Sequence, residues 1–122
     1  MRTADRMPAH LRAALTELFG DNVDDVVLRE SSWFVKLHGR ARATTRRNTI
    51  YLRGTVDEFF ADPALMLHEY FHVLRQWNRG RMNLWDYLVE SSRRGYWANR
   101  YERQARRFVD LRLGAFRRLV GE

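Results

Sequence analysis

A chain of 122 residues, 45% hydrophobic and 30% charged, has the size and composition of one globular domain and argues against wholesale disorder. It has no cysteine, which excludes a disulfide scaffold, a cysteine zinc finger, an iron–sulfur cluster and a thiol nucleophile, so any metal must be held by histidine and carboxylate. Lys and Arg number 22 against 15 Asp and Glu, a net charge of +7 that admits nucleic acid, an anionic surface or an acidic protein as partner.

The sequence reads as a single domain over residues 1–122, with 1–7 as a loose start. Pro8 opens a helix with an apolar stripe of Leu11, Leu15, Leu18 and Phe19, stopped by Gly20. Asp25–Glu30 reads as a first strand, and Ser31–Gly39 fits either a short helix or a strand. Ala41–Thr45 and Thr49–Arg53 flank Arg46-Arg47-Asn48 as the arms of a hairpin, with Ile50 and Leu52 on one face and Thr49, Tyr51 and Arg53 on the other. Asp62 caps a helix from Pro63 to about Trp77, ending near Gly80. Asn83 caps another from Leu84 to about Ser92, and Gly95 breaks the pattern. Asn99 precedes a long helix to about Val120 whose inward stripe is Ala105, Phe108, Val109, Leu113, Phe116 and Val120. No run free of Asp, Glu, Lys and Arg exceeds six residues, Pro63–His68, so no segment reads as a membrane span. With no apolar stretch of signal-peptide length near the start, a cytoplasmic location is the default expectation.

Seven of the ten residues in Leu65–Leu74 (LMLHEYFHVL) are apolar or aromatic and surround the helix, which marks it as central and buried. Its polar members are His68, Glu69 and His72, and each needs a partner, since an unpaired buried polar group costs about 1–3 kcal/mol. His68 and His72 are four apart and share a face. This is the His-Glu-x-x-His zinc pattern, in which two imidazoles bind one ion and the Glu serves as general base. The bland alternative is a pair of core histidines hydrogen-bonded to backbone and carboxylates.

A catalytic zinc needs a third protein ligand. His10 and His38 are isolated and read as surface or packing residues, which leaves a carboxylate on a later helix: Asp86, Glu90, Glu102 or Asp110. Glu102 is favoured because Ala105, one turn on, permits close approach to the histidine helix. Against it, Asn99-x-x-Glu102 is also a capping-box pattern.

The runs ARATTRRNTIYLRG, LMLHEYFHVLRQW and GYWANRYERQA resemble the small bacterial gluzincin-type metallopeptidases called minigluzincins. They are especially similar to the metalloprotease domain found in core components of extracellular contractile injection systems. The resemblance spans about residues 25–110. It departs from the group at Arg100, where proline is frequent, and at Tyr70 and Phe71, which are bulkier than the usual pair. It implies an α+β, zincin-like fold, with a short, mostly antiparallel sheet packed on the histidine helix and a later helix supplying the third ligand. It further implies one zinc ion on His68, His72 and Glu102, Glu69 as the catalytic base, and hydrolysis of a peptide or protein substrate. The strand Thr49, Ile50, Tyr51, Leu52 and Arg53 would then be the edge on which substrate pairs.

Tyr96, Tyr101 and Asn99 are further candidates for contacting the oxyanion or substrate, against a packing role for the tyrosines. Trp77, Trp85 and Trp97 read as core and rim packing, with Trp97 able to line a cleft. The arginines of the last helix read as a solvated face, which makes a nucleic-acid partner unlikely. The rival functions are a non-enzymatic basic module that binds nucleic acid or an acidic protein, and a zincin that binds metal without turnover.

Overall fold

The structure is a computed structural model that describes residues 1–36 and 41–122. The fold is α+β. Among the described residues three short strands form a mixed sheet and seven α-helices pack around it. In chain order these are α1 (Thr3–Arg6), α2 (Ala9–Phe19), β1 (Val27–Arg29), α3 (Trp33–Lys36), β2 (Ala43–Arg46), β3 (Thr49–Leu52), α4 (Val56–Phe60), α5 (Pro63–Phe71), a π-helical segment (His72–Trp77), α6 (Leu84–Ala98) and α7 (Arg100–Leu119).

The start of the chain is tied down rather than loose. The Thr3 hydroxyl donates to the Val26 carbonyl at 2.8 Å and lies 2.7 Å from the Tyr70 hydroxyl, in the protein interior. Arg2 bridges Val27, and Met7 joins the core. These contacts are long-range in sequence, so nothing local to residues 1–7 signals them. Gly20 closes α2 in the left-handed conformation (φ +73°), the position for which glycine is suited.

The strand order is β1-β3-β2. β3 pairs antiparallel with β2 over four residue pairs and parallel with β1 over three. This corrects the expectation for Thr49–Arg53: Thr49–Leu52 is the central strand, with both sides of its backbone paired, so it is not a substrate edge. A hairpin alone cannot reveal this, because the partner on the other side of β3 comes from β1, where Val27 sits opposite Thr49. Among the described residues β2 is the open edge on the side of the histidine helix. Ile50 and Leu52 face the core, as alternation predicts. Asn48, at φ +53°, makes the two-residue turn of the hairpin and is clamped to Asn78 by two hydrogen bonds, of 2.8 and 3.2 Å.

α3 covers Trp33–Lys36, so the helical option holds for that part of Ser31–Gly39; the rest of that stretch, His38 included, lies outside the described residues. The helix α4, which the sequence patterns above do not mark, is capped by the Thr55 hydroxyl accepting from the Glu58 amide.

The Asp62 carboxylate caps α5, with Pro63 in the first turn. The helix continues as a single rod only to Phe71 and then widens into the π segment, where Asn78 N–H bonds to the Val73 carbonyl at 2.8 Å. Such insertions are frequent at functional sites. α5 is buried by Leu67, Tyr70 and Met66, and α7 packs along it through Ala105 and Phe116, with Phe108, Val109, Leu113 and Val120 partly buried against the core. α6 buries no residue fully and bends at Gly95 (φ +78°). Trp85 and Trp97 are each 73% exposed, which removes them from the core. Among the described residues no helix is long and apolar enough to cross a membrane.

Candidate metal centre

α5 and the first residue of the π segment present the two histidines on one face, with ring centroids 4.8 Å apart. α7 delivers Glu102 to the same point. Its Oε1 lies 3.0 Å from His68 Nε2 and 2.9 Å from His72 Nε2, and the two Nε2 atoms are 3.2 Å apart. Tetrahedral zinc at about 2.0–2.1 Å from each ligand separates ligand atoms by about 3.3 Å, so this triangle has nearly the size of one tetrahedral face. Two imidazole nitrogens and a carboxylate oxygen this close to one another need a proton or a cation among them. These three residues could hold a metal ion.

The other carboxylates are elsewhere. Glu90 pairs with Arg94, Asp86 bonds to Asn83, and Asp110 is exposed on α7. His10 is exposed on α2. The capping box does not form. Asn99 caps α7 alone, its Oδ1 accepting from the Tyr101 amide at 2.8 Å, and this leaves Glu102 to the histidines.

Two further residues complete the surroundings. Gln76 is buried, with its Oε1 2.6 Å from His72 Nδ1. The Tyr87 hydroxyl donates to Glu102 Oε2 at 2.7 Å. Sequence reasoning passed over both. Gln76 had a usable signal, a polar residue one turn after His72 at the end of an apolar helix. Tyr87 had none, because its contact depends on how α6 crosses α7.

Burial opposes charge on His72, but the hydrogen bond and charge of Glu102, with the Glu69 charge and the Gln76 oxygen, raise its pKa to about 9. Burial likewise works against ionised Glu102; hydrogen bonds from His68, His72 and Tyr87 hold it well below the usual carboxylate range. Burial pushes Glu69 up, and Glu102 adds to this while His72 and His68 oppose it. Without a metal, the centre therefore favours a proton on His72 beside an ionised Glu102.

Glu69 is not among the three converging residues. It is buried on the wall of a cleft of about 310 Å³ that runs between β2 and α6, and His72 and Glu102 open into the same space. Among the described residues its carboxylate accepts no hydrogen bond, which leaves it open to a water or a substrate. Apolar groups dominate the remaining walls: Phe34, Trp77, Met82, Leu84 and Leu88, with β2 forming one side.

Of the residues expected to contact an oxyanion or substrate, only Tyr96 lines the cleft, beside Glu69 and Glu102. Its hydroxyl is held protonated first by burial and then by those carboxylates. Tyr101 is buried, and its hydroxyl accepts from Arg100 at 2.7 Å, away from the cleft. Asn99 is fully buried and engaged with Tyr101, Ser91 and the Tyr87 carbonyl. Both support the helix junction rather than the cleft. Trp97 lines an adjoining cleft with His68 and Glu69, and Arg106 stacks on its ring at 3.8 Å.

The arrangement defines an α+β protein with a candidate His/His/Glu metal centre at the wall of an apolar cleft. The chain matches the family model of the eCIS core domain over residues 6–80 and belongs to that family. The matched region contains His68, Glu69 and His72 and ends before Glu102. No curated protein and no solved structure matches the chain.

Proposed function

We propose that this domain is a zincin-like, zinc-dependent peptidase that hydrolyses peptide bonds in an extended substrate. The observation that carries this reading is the convergence of His68, His72 and Glu102 with Glu69 buried beside them on the cleft wall. His68 Nε2, His72 Nε2 and the Glu102 carboxylate would hold the ion, which supplies Lewis acidity toward a carbonyl and lowers the pKa of a water.

Glu69, whose affinity for a proton is raised by burial, accepts one proton from water as the water oxygen bonds to the carbonyl carbon. It passes that proton to the departing nitrogen as the C–N bond breaks. The Tyr96 hydroxyl, on the same cleft, donates toward the developing oxyanion. The substrate adds to the open edge of β2 by backbone pairing, in place of the Thr49–Arg53 strand that the family resemblance implies.

Hydrolysis of a mixed peptide library by the zinc-loaded protein tests this, with Glu69→Gln as control. Cleavage that is absent in the variant supports the reading; equal cleavage in both removes Glu69 from the mechanism. Zinc uptake with no hydrolysis under any condition would favour a metal-binding domain without turnover. The exposed arginines Arg103, Arg107, Arg112, Arg117 and Arg118 on α7 favour a separate reading, an anionic partner, which strongly salt-dependent binding would reveal.

A further inference from the structure

We infer that Gln76 is a positioning residue of the metal centre: its amide selects the nitrogen of His72 that faces the ion and sets the helix that carries Glu102. This rests on the metal-centre reading above. Gln76 is 1% exposed and all its amide atoms are engaged. Its Nε2 donates to the Tyr101 carbonyl at 3.1 Å and to Gln104 Oε1 at 2.9 Å. Two acceptors on that side fix the orientation of the amide, so its oxygen faces His72 Nδ1.

A carbonyl oxygen 2.6 Å from Nδ1 requires the proton to be on Nδ1. In the neutral ring the lone pair is then on Nε2, the atom 2.9 Å from Glu102 Oε1 and 3.2 Å from His68 Nε2. His68 has no such partner on its Nδ1 among the described residues, so the tautomer of only one ligand is fixed this way.

The other half of the amide acts on α7. The Tyr101 carbonyl belongs to the peptide bond that leads into Glu102, so one side chain spans both ligand-bearing elements. Gln76 is itself immobilised, because its main-chain carbonyl accepts from Arg81 at 2.9 Å and from Met82 at 3.2 Å where the π segment ends.

The test uses the full chain and three proteins: wild type, Gln76→Met and Gln76→Glu. Zinc affinity is measured by chelator competition, and the His72 Nδ1 proton is followed by NMR in the zinc-loaded proteins. Gln76→Met should lose about 10–100-fold in zinc affinity, the usual effect of removing such an outer partner. It should also lose a slowly exchanging Nδ1 proton. Gln76→Glu keeps the acceptor on Nδ1 and loses the donors to α7, so it should retain that proton and lose less affinity than Gln76→Met. A purely structural role would not move the proton resonance. If Gln76→Met fails to fold, wild type still decides: zinc bound through His72 Nδ1, or an Nδ1 proton in fast exchange, overturns the inference. Wild type that takes up no zinc overturns the metal-centre reading itself. Equal affinity in wild type and Gln76→Met overturns the role of Gln76 alone.

Discussion

Replacing Glu102 by Gln keeps the shape of the side chain and removes its charge. The Tyr87 hydroxyl can turn from donor to acceptor, so the amide fits with its oxygen still toward the histidines. In the metal-free protein the change acts through His72, whose pKa is raised from 6.5 to about 9 against its burial, chiefly by the Glu102 hydrogen bond and charge. That difference corresponds to up to ~3 kcal/mol, less the shares held by Glu69 and Gln76. Because the folded value is the higher one, this stability is fully present below the unfolded pKa of 6.5 and is lost as the pH rises through about 9. Metal-free Glu102→Gln should therefore be destabilised by ~2–3 kcal/mol near pH 6, a fall in melting temperature of roughly 10 °C, and by much less near pH 10. Thermal melts followed by circular dichroism with a chelator present, at both pH values, measure it. An equal loss at both would refute the electrostatic account and make Glu102 a packing residue.

Thr3→Val should cost about 1–3 kcal/mol in a denaturant titration, because the buried Tyr70 hydroxyl loses its partner; adding Tyr70→Phe should recover part of it. No loss would mean that residues 1–7 do not anchor the fold. Changing Arg107, Arg112, Arg117 and Arg118 together to Gln should leave zinc content and peptide hydrolysis nearly unchanged, since all four are exposed on α7 and the ion pair of Arg117 with Glu122 is an exposed 3.7 Å contact. Parallel loss of activity would assign the arginine face a part in the function. Arg106 is kept because it bonds to the Trp97 carbonyl and stacks on its ring at the adjoining cleft.

The parts of the site that lie on one helix were legible in the sequence. His68 and His72 are four apart, and helical geometry alone puts them together. Glu102 could be ranked above Glu90, Asp86 and Asp110 because Ala105 permits α7 to approach α5, and Ala105 is fully buried between them in the structure. Contacts that depend on which elements meet were not legible. Thr49–Leu52 alternates as any half-buried strand does, and nothing in that alternation says that β1 takes its free side. Tyr101 directly precedes Glu102, and successive residues of a helix point in different directions; Asn99 is the cap of α7, and its side chain is taken up by the Tyr101 amide and Ser91. The apolar residues of α6 resemble a core stripe, yet Trp85, Leu88 and Leu84 stay exposed or face an open cleft.

Metal analysis of the purified protein, with hydrolysis measured on the same samples, tests the central claim most directly. The account predicts one zinc per chain in wild type and in Glu69→Gln, with cleavage only in wild type, and loss of both metal and cleavage in His72→Ala and Glu102→Ala. Wild type without metal after zinc loading, or metal retained equally in all four proteins, would contradict it.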